Sequence, residues 1–315
     1  MMKIVFFSLL ATLTLNGAIF AQDGNPREKQ RVRTVSIPIS IFTKDELKQG
    51  QTEEFIQVDR LIVKEDKDEQ TILSIRSVVD APLALAILIQ DDLSSQFNLQ
   101  LSDLKKFIRN LPRGSRVMVA YMRGGTLQIR QRFTDDLDEA AKSLRIVASS
   151  PVAAPRSPFD SLMDALDRFD ALPAGRRAVL MISDGLDASQ GISESTPSQS
   201  NDLQRSIVRA QRRNVAVFSI YHPASLTAGN SGRLVLNGQG SLAKISDETG
   251  GRAFFQGSVA PVTLERMFRE LFLLLNRQFL LSYLSTHMNR GYHRVEVTST
   301  NPDVKIEHPK GYYYR

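Results

Sequence analysis

Residues 84–95, Ala-Leu-Ala-Ile-Leu-Ile-Gln-Asp-Asp-Leu-Ser-Ser, constrain this chain more than any other stretch, because an unbroken apolar run stops abruptly at carboxylates and hydroxyls. An uninterrupted run of this kind reads as a strand buried on both faces, the central strand of a parallel sheet covered by helices. Ligands collect in the crevice outside the carboxyl ends of such strands. That crevice is expected to hold Asp91, Asp92, Ser94 and Ser95, oxygen donors of the kind that suit a hard divalent cation.

The residues that follow alternate between helical and strand patterns. Phe97, Leu101, Leu104, Phe107, Ile108 and Leu111 recur at helical spacing, and Pro112-Arg113-Gly114 closes that helix. Residues 116–122 and 127–133 read as strands joined by an Arg123-Gly124-Gly125 hairpin turn. Asp135 and Asp136 begin a helix expected to run through Ile146, and a Ser/Pro/Ala loop leads to a helix carrying Leu162, Leu166 and Phe169. Residues 178–182 form a second buried strand that also ends in a carboxylate, Ser183-Asp184-Gly185. A Ser-rich loop at 188–201, a basic helix ending at Arg213 and a strand at 215–221 follow. This rhythm predicts an α/β fold, a doubly wound, mostly parallel sheet with helices on both faces.

The flanks differ in character. Lys3, the apolar residues 4–15 and the small residues from Ala18 to Ala21 read as a signal peptide over 1–21, so the protein is expected to be exported, periplasmic or extracellular. No later apolar run is long enough to span a bilayer. A linker at 22–32 precedes a β region at 33–78, where Val35, Ile37, Ile39 and Ile41 alternate with polar residues or Pro38. The acidic run from Glu65 to Glu69 lacks the ligand spacing of a calcium loop and reads as a solvated hairpin turn. Residues 79–276 then form the α/β domain, and 277–315 a C-terminal β segment packing with 33–78 as a small β unit. The absence of cysteine excludes disulfides and thiolate chemistry.

Several segments together resemble one known family. Leu242-Ala243-Lys244-Ile245-Ser246-Asp247-Glu248-Thr249-Gly250-Gly251-Arg252-Ala253-Phe254-Phe255 is similar to a strand entry of von Willebrand factor type A domains. Arg277-Gln278-Phe279-Leu280-Leu281-Ser282-Tyr283, His293-Arg294-Val295-Glu296-Val297 and Lys310-Gly311-Tyr312-Tyr313 resemble the tail of the related proteins exported by acidobacteria. The resemblance implies an adhesion or assembly role toward another protein. It also implies a metal-ion-dependent adhesion site, in which an Asp-x-Ser-x-Ser loop, a Thr loop and an Asp-Gly loop surround one Mg²⁺ or Mn²⁺.

Only Asp184 with Gly185 fits that pattern directly. Starting from Asp91 keeps Ser95 but puts Leu93 at the first Ser; starting from Asp92 keeps Ser94 but puts Gln96 at the second. Arg156 falls at the Thr position, one residue from Ser157. The expectation is a degenerate site of Asp91, Asp92, Ser94, Ser95, Ser157 and Asp184 that binds Mg²⁺ or Mn²⁺ weakly or not at all. Gln96, Arg156, Gly185 and Asp187 are expected on the partner-binding face.

Other features read as ordinary structure. Gly238-Gln239-Gly240-Ser241 suggests a flexible loop with Ser241 capping a helix, and the four histidines, without an i, i+4 pair, suggest surface or strand-end positions. Arg205, Arg209, Arg212 and Arg213 mark the solvated face of a helix. The charge of +6 is spread along the chain, and export argues against a nucleic-acid role. There is no nucleophile elbow, phosphate loop or His-Glu-x-x-His, so no enzyme is expected. Two functions remain: a protein-binding module with a degenerate adhesion site, or a metal-independent structural or assembly component of the cell envelope.

Overall fold

The computed structural model describes residues 31–43, 61–78, 81–173, 175–228 and 232–314. The expected signal peptide and nearly all of the expected linker lie outside them. The elements of the first part are β1 (Arg33–Thr43), β2 (Leu61–Glu65) and β3 (Asp68–Ser77). The α/β part runs β4 (Leu83–Gln90), α1 (Leu101–Arg109), β5 (Arg116–Arg123), β6 (Thr126–Thr134), α2 (Leu137–Lys142), α3 (Pro158–Asp167) and β7 (Arg176–Ser183). It continues through α4 (Asn201–Arg212), β8 (Ala216–Tyr221), α5 (Gly232–Thr249), β9 (Ala253–Phe254) and α6 (Glu265–Asn276). Strands β10 (Gln278–Ser285), β11 (Gly291–Ser299), β12 (Val304–Glu307) and β13 (Gly311–Tyr314) complete the chain.

The α/β sheet has six strands in the order β6-β5-β4-β7-β8-β9. Strand β4 pairs in parallel with both β5 and β7, whereas β6 folds back antiparallel on β5 through Gly124 and Gly125, both at positive φ. Counted from β4, the order is 3-2-1-4-5-6, that of a doubly wound sheet, and it reverses between β4 and β7. Every residue of β4 is buried. Alternation divides its side chains between two cores: Leu85, Ile87 and Ile89 pack with α1, α2 and α6, and Ala84, Ala86 and Leu88 with α3, α4 and α5.

The β segments from the two ends form a seven-stranded sheet in the order β12-β1-β10-β3-β2-β11-β13, larger in strand number than the expected small β unit. Strand β10 lies between β1 and β3, antiparallel to both. The extra strands were hard to read because β12 and β13 are four residues each, too short to display a period.

Two further expectations fail for tertiary reasons. The helix expected through Ile146 stops at Lys142, and the chain beyond it runs without helix, carrying Arg145 and Ala148 to Asp91. Gly238 to Ser241 is no loop: it lies inside α5, and Ser241 Oγ donates to the Asn237 carbonyl one turn back instead of capping the helix.

Candidate functional site

The topological switch point is bounded by the C-terminal ends of β4 and β7, so it collects Asp91 and Asp92 from one strand and Ser183 and Asp184 from the other. Gln90 ties the two ends together. Its amide nitrogen donates to Asp92 Oδ1 at 2.8 Å, while its carbonyl accepts from Ser183 Oγ at 2.5 Å and from the Asp184 amide at 3.3 Å.

Asp91 is fully buried and fully engaged. Arg145 grips both carboxylate oxygens, at 2.7 and 3.0 Å, Arg123 adds a bond of 2.8 Å to Oδ2, and the Ala148 amide donates to Oδ1 at 3.2 Å. Burial by itself would raise the Asp91 carboxyl; the hydrogen bonds from Arg145 and Ala148, the Arg145 charge and Arg123 outweigh it and hold the group below its ordinary range. Arg145 is itself fixed. Its guanidinium lies 4.0 Å from the centre of the Tyr121 ring, whose hydroxyl donates to the Arg145 carbonyl at 2.7 Å.

Asp92 and Asp184 have the opposite environment: both are buried, and neither is ion-paired among the described residues. Asp92 Oδ2 accepts from the backbone amide and hydroxyl of Ser225. Asp184 accepts from the Leu186 amide at 3.1 Å and from Thr227 Oγ1 at 3.2 Å. Burial, and then the nearby Asp92 charge, push the Asp184 carboxyl up to about 7. The donor set fits a divalent ion only in part. Ser94 Oγ and Ser157 Oγ are buried without a hydrogen-bond partner and offer neutral oxygens, but Asp91 is committed to arginines and every oxygen of Asp92 and Asp184 already accepts a hydrogen bond.

No protein-family model matches this chain, and neither does any curated protein sequence. Among solved structures it is similar to a von Willebrand factor type A structure from Catenulispora acidiphila, at 13% identity and TM-score 0.44 over 83% of this chain and 75% of that one. It is similar to BatB from Bacteroides thetaiotaomicron, at 13% identity and TM-score 0.40 over 61% and 95%. A third is manganese-loaded TRAP from Plasmodium vivax, at 11% identity and TM-score 0.38 over 75% and 97%.

Within the α/β part the expected site residues separate. Asp92, Ser94, Ser157 and Asp184 are drawn into the buried end of the sheet, Asp91 turns to its arginines, and Ser95 is exposed. Gln96 and Arg156 are exposed. Gly185 and Asp187 are buried, so neither faces a partner: Gly185 packs on α5, and Asp187 accepts from the Ser189 amide and Ser200 Oγ. Sequence reasoning missed Arg145, Arg123, Ser225 and Thr227, which reach the site from loops and a strand end with no local pattern to mark them. His222 sits at a strand end, as expected, but is buried beyond β8 with its ring edge-on to Phe97 at 5.4 Å, and burial pushes it down to about 4.

Proposed function

We propose that this chain is an exported protein-binding module whose A-like domain meets an acidic segment of its partner at the C-terminal end of the sheet, without requiring a divalent ion. The observation that carries this reading is the closure of Asp91 by Arg145 and Arg123. Two guanidinium groups around one carboxylate leave a surplus cation at Asp91, and Arg156 on the same end of the domain is exposed. Arg123 remains 41% exposed, so it can still meet a second carboxylate. Apolar side chains stand beside this charge. Ile146 is 68% exposed and Leu99 82%, in segments joined by the bond from the Val147 amide to Asn98 Oδ1. Val152 is 87% exposed next to the Ala153 carbonyl that receives the Gly124 amide. Exposed apolar groups around a polar centre suit a protein interface better than an inert scaffold.

If Mg²⁺ or Mn²⁺ binds, Asp92, Asp184, Ser94 and Ser157 are the residues that would hold it, and the ion would supply a positive point for a partner carboxylate. The reading predicts partner capture from envelope extract that is insensitive to chelator, falls with rising salt and is lost in Arg123→Glu/Arg156→Glu. In thermal melts, Mg²⁺, Mn²⁺ and chelator should leave the midpoint unchanged. A chelator-sensitive shift of several degrees that disappears in Asp184→Ala would replace this reading with metal-dependent adhesion.

A further inference from the structure

The seven-stranded sheet carries a second cluster of chemistry far in sequence from the α/β site. Glu65 at the end of β2, Asp66 in the following turn and His293 in β11 place ligand atoms close together. His287, just beyond β10, lies at their edge: its Nδ1 is 3.8 Å from Glu65 Oε1, and His293 Nδ1 is 3.4 Å from the same oxygen and 2.8 Å from Asp66 Oδ2. The acidic run expected to be a solvated turn does make the β2–β3 turn, but Glu65 is fully buried and His293 is 4% exposed.

The far nitrogen of each ring, Nε2, is held by an acceptor. His293 Nε2 is 2.7 Å from the Asn289 carbonyl, which can only accept, so Nε2 donates. His287 Nε2 likewise donates to the Asp68 carboxylate at 3.1 Å. On the other side of the ring, His293 Nδ1 faces Asp66 Oδ2 at 2.8 Å and Glu65 Oε1 at 3.4 Å, so the nitrogen that would ligate a metal is turned toward the carboxylates. Backbone or carboxylate acceptors on the far ring nitrogen are also what orients a metal-ligating imidazole.

Two groups in the cluster lack a partner. Glu65 Oε2 is buried with no hydrogen-bond donor, whereas Oε1 accepts from Ser285 Oγ and Tyr312 Oη at 2.9 and 2.8 Å. The buried Nδ1 of His287 has none either. Arg33 Nη2 lies 3.5 Å from Glu65 Oε1, but its guanidinium is shared with Tyr312 Oη and the His287 carbonyl, so it supports the cluster from one side. Asp66 is pinned by the Arg294 amide on Oδ1, leaving Oδ2 toward His293.

The geometry points to a zinc-type divalent metal site made by Glu65, Asp66, His287 and His293, which staples the hairpin β2–β3 to the strands β10 and β11 from the far end of the chain. Two imidazoles and two carboxylates suit Zn²⁺ or Co²⁺ better than Mg²⁺. Tetrahedral zinc with bonds of about 2.0–2.2 Å sets its ligand atoms roughly 3.3–3.6 Å apart, so Glu65, Asp66 and His293 need only small adjustments, while His287 completes the set by moving closer.

The test is titration of the untagged full chain with Zn²⁺ and Co²⁺ at pH 7.5. One equivalent of Zn²⁺ is expected, with a raised melting midpoint, and Co²⁺ should give the intense visible bands of a four-coordinate nitrogen and oxygen site. His287→Gln/His293→Gln should abolish the bands and weaken Zn²⁺ at least tenfold, whereas Asp135→Asn, an exposed carboxylate outside both clusters, should bind as the parent does. Should the double variant fail to fold, His287→Gln alone, at a position 21% exposed, should still show the tenfold loss. Absence of Zn²⁺ and Co²⁺ binding by the parent, or equal binding by the folded histidine variants, overturns the site and leaves the Nδ1 positions to protons.

Discussion

Gly185 and Gly238 touch backbone to backbone. A Cβ built on Gly185 would stand 2.4 Å from the Gly238 carbonyl oxygen, and one built on Gly238 would stand 2.0 Å from the Asp184 carbonyl oxygen. Gly185 also has φ of +69°, which side chains rarely adopt. The middle of α5 thus fixes the turn that carries Asp184. Gly238→Ala and Gly185→Ala are each expected to lose about 2 kcal/mol or more, because the obstructing atoms are backbone and cannot swing aside. Denaturant titration of the two variants measures this; a loss under about 0.5 kcal/mol would mean that α5 retreats freely.

The two arginines on Asp91 should contribute unequally. Arg145 is bidentate, stacked on Tyr121 and 28% exposed, whereas Arg123 makes one bond and is 41% exposed. Arg145→Met keeps the packing on Tyr121 while removing the main partner of a buried carboxylate, and is expected to destabilise by roughly 3 kcal/mol. Arg123→Met is expected to lose under about 1 kcal/mol. Equal losses would show that the two cations share the load.

Asp184 gives the stability a pH dependence of known sign. Its folded pKa of about 7 exceeds the ordinary 3.8, so its favourable contribution is complete below 3.8 and is lost as pH rises through about 7. His222 and His308, both pushed down to about 4 by burial from an ordinary 6.5, work the other way and weaken the fold as pH drops from 6.5 toward 4. Comparing wild type with Asp184→Asn isolates the carboxyl. The variant should gain relative stability steadily between pH 4 and 7, and a flat difference across that window would place the Asp184 pKa near normal.

Strand β10 is hydrogen-bonded to β1 on one side and β3 on the other. Truncation after Leu275 removes it together with β11, β12 and β13, leaving β1 without either of its paired neighbours. Limited proteolysis should therefore cut residues 33–43 and 61–77 in the truncated protein and spare them in the full chain. Equal protection in both would mean that the N-terminal strands hold together through their own hairpin.

Much of the α/β part was legible in the chain because its signals are local. The apolar run of β4 reads as a doubly buried strand, Gly124-Gly125 as a tight turn, and the carboxylates of Asp91, Asp92 and Asp184 stand at strand ends. What those carboxylates do was decided by tertiary structure alone. Arg145 meets Asp91 across 54 residues of sequence and Ser225 meets Asp92 across 133, and no period or spacing encodes such pairings. The same holds for Glu65, whose acidic neighbours suggested solvent until strands from the other end of the chain brought His287, His293 and Tyr312 over it. Local pattern determines which residues are apolar, turning or charged; the folding of distant segments onto one another determines which charges are neutralised, and therefore which remain to act.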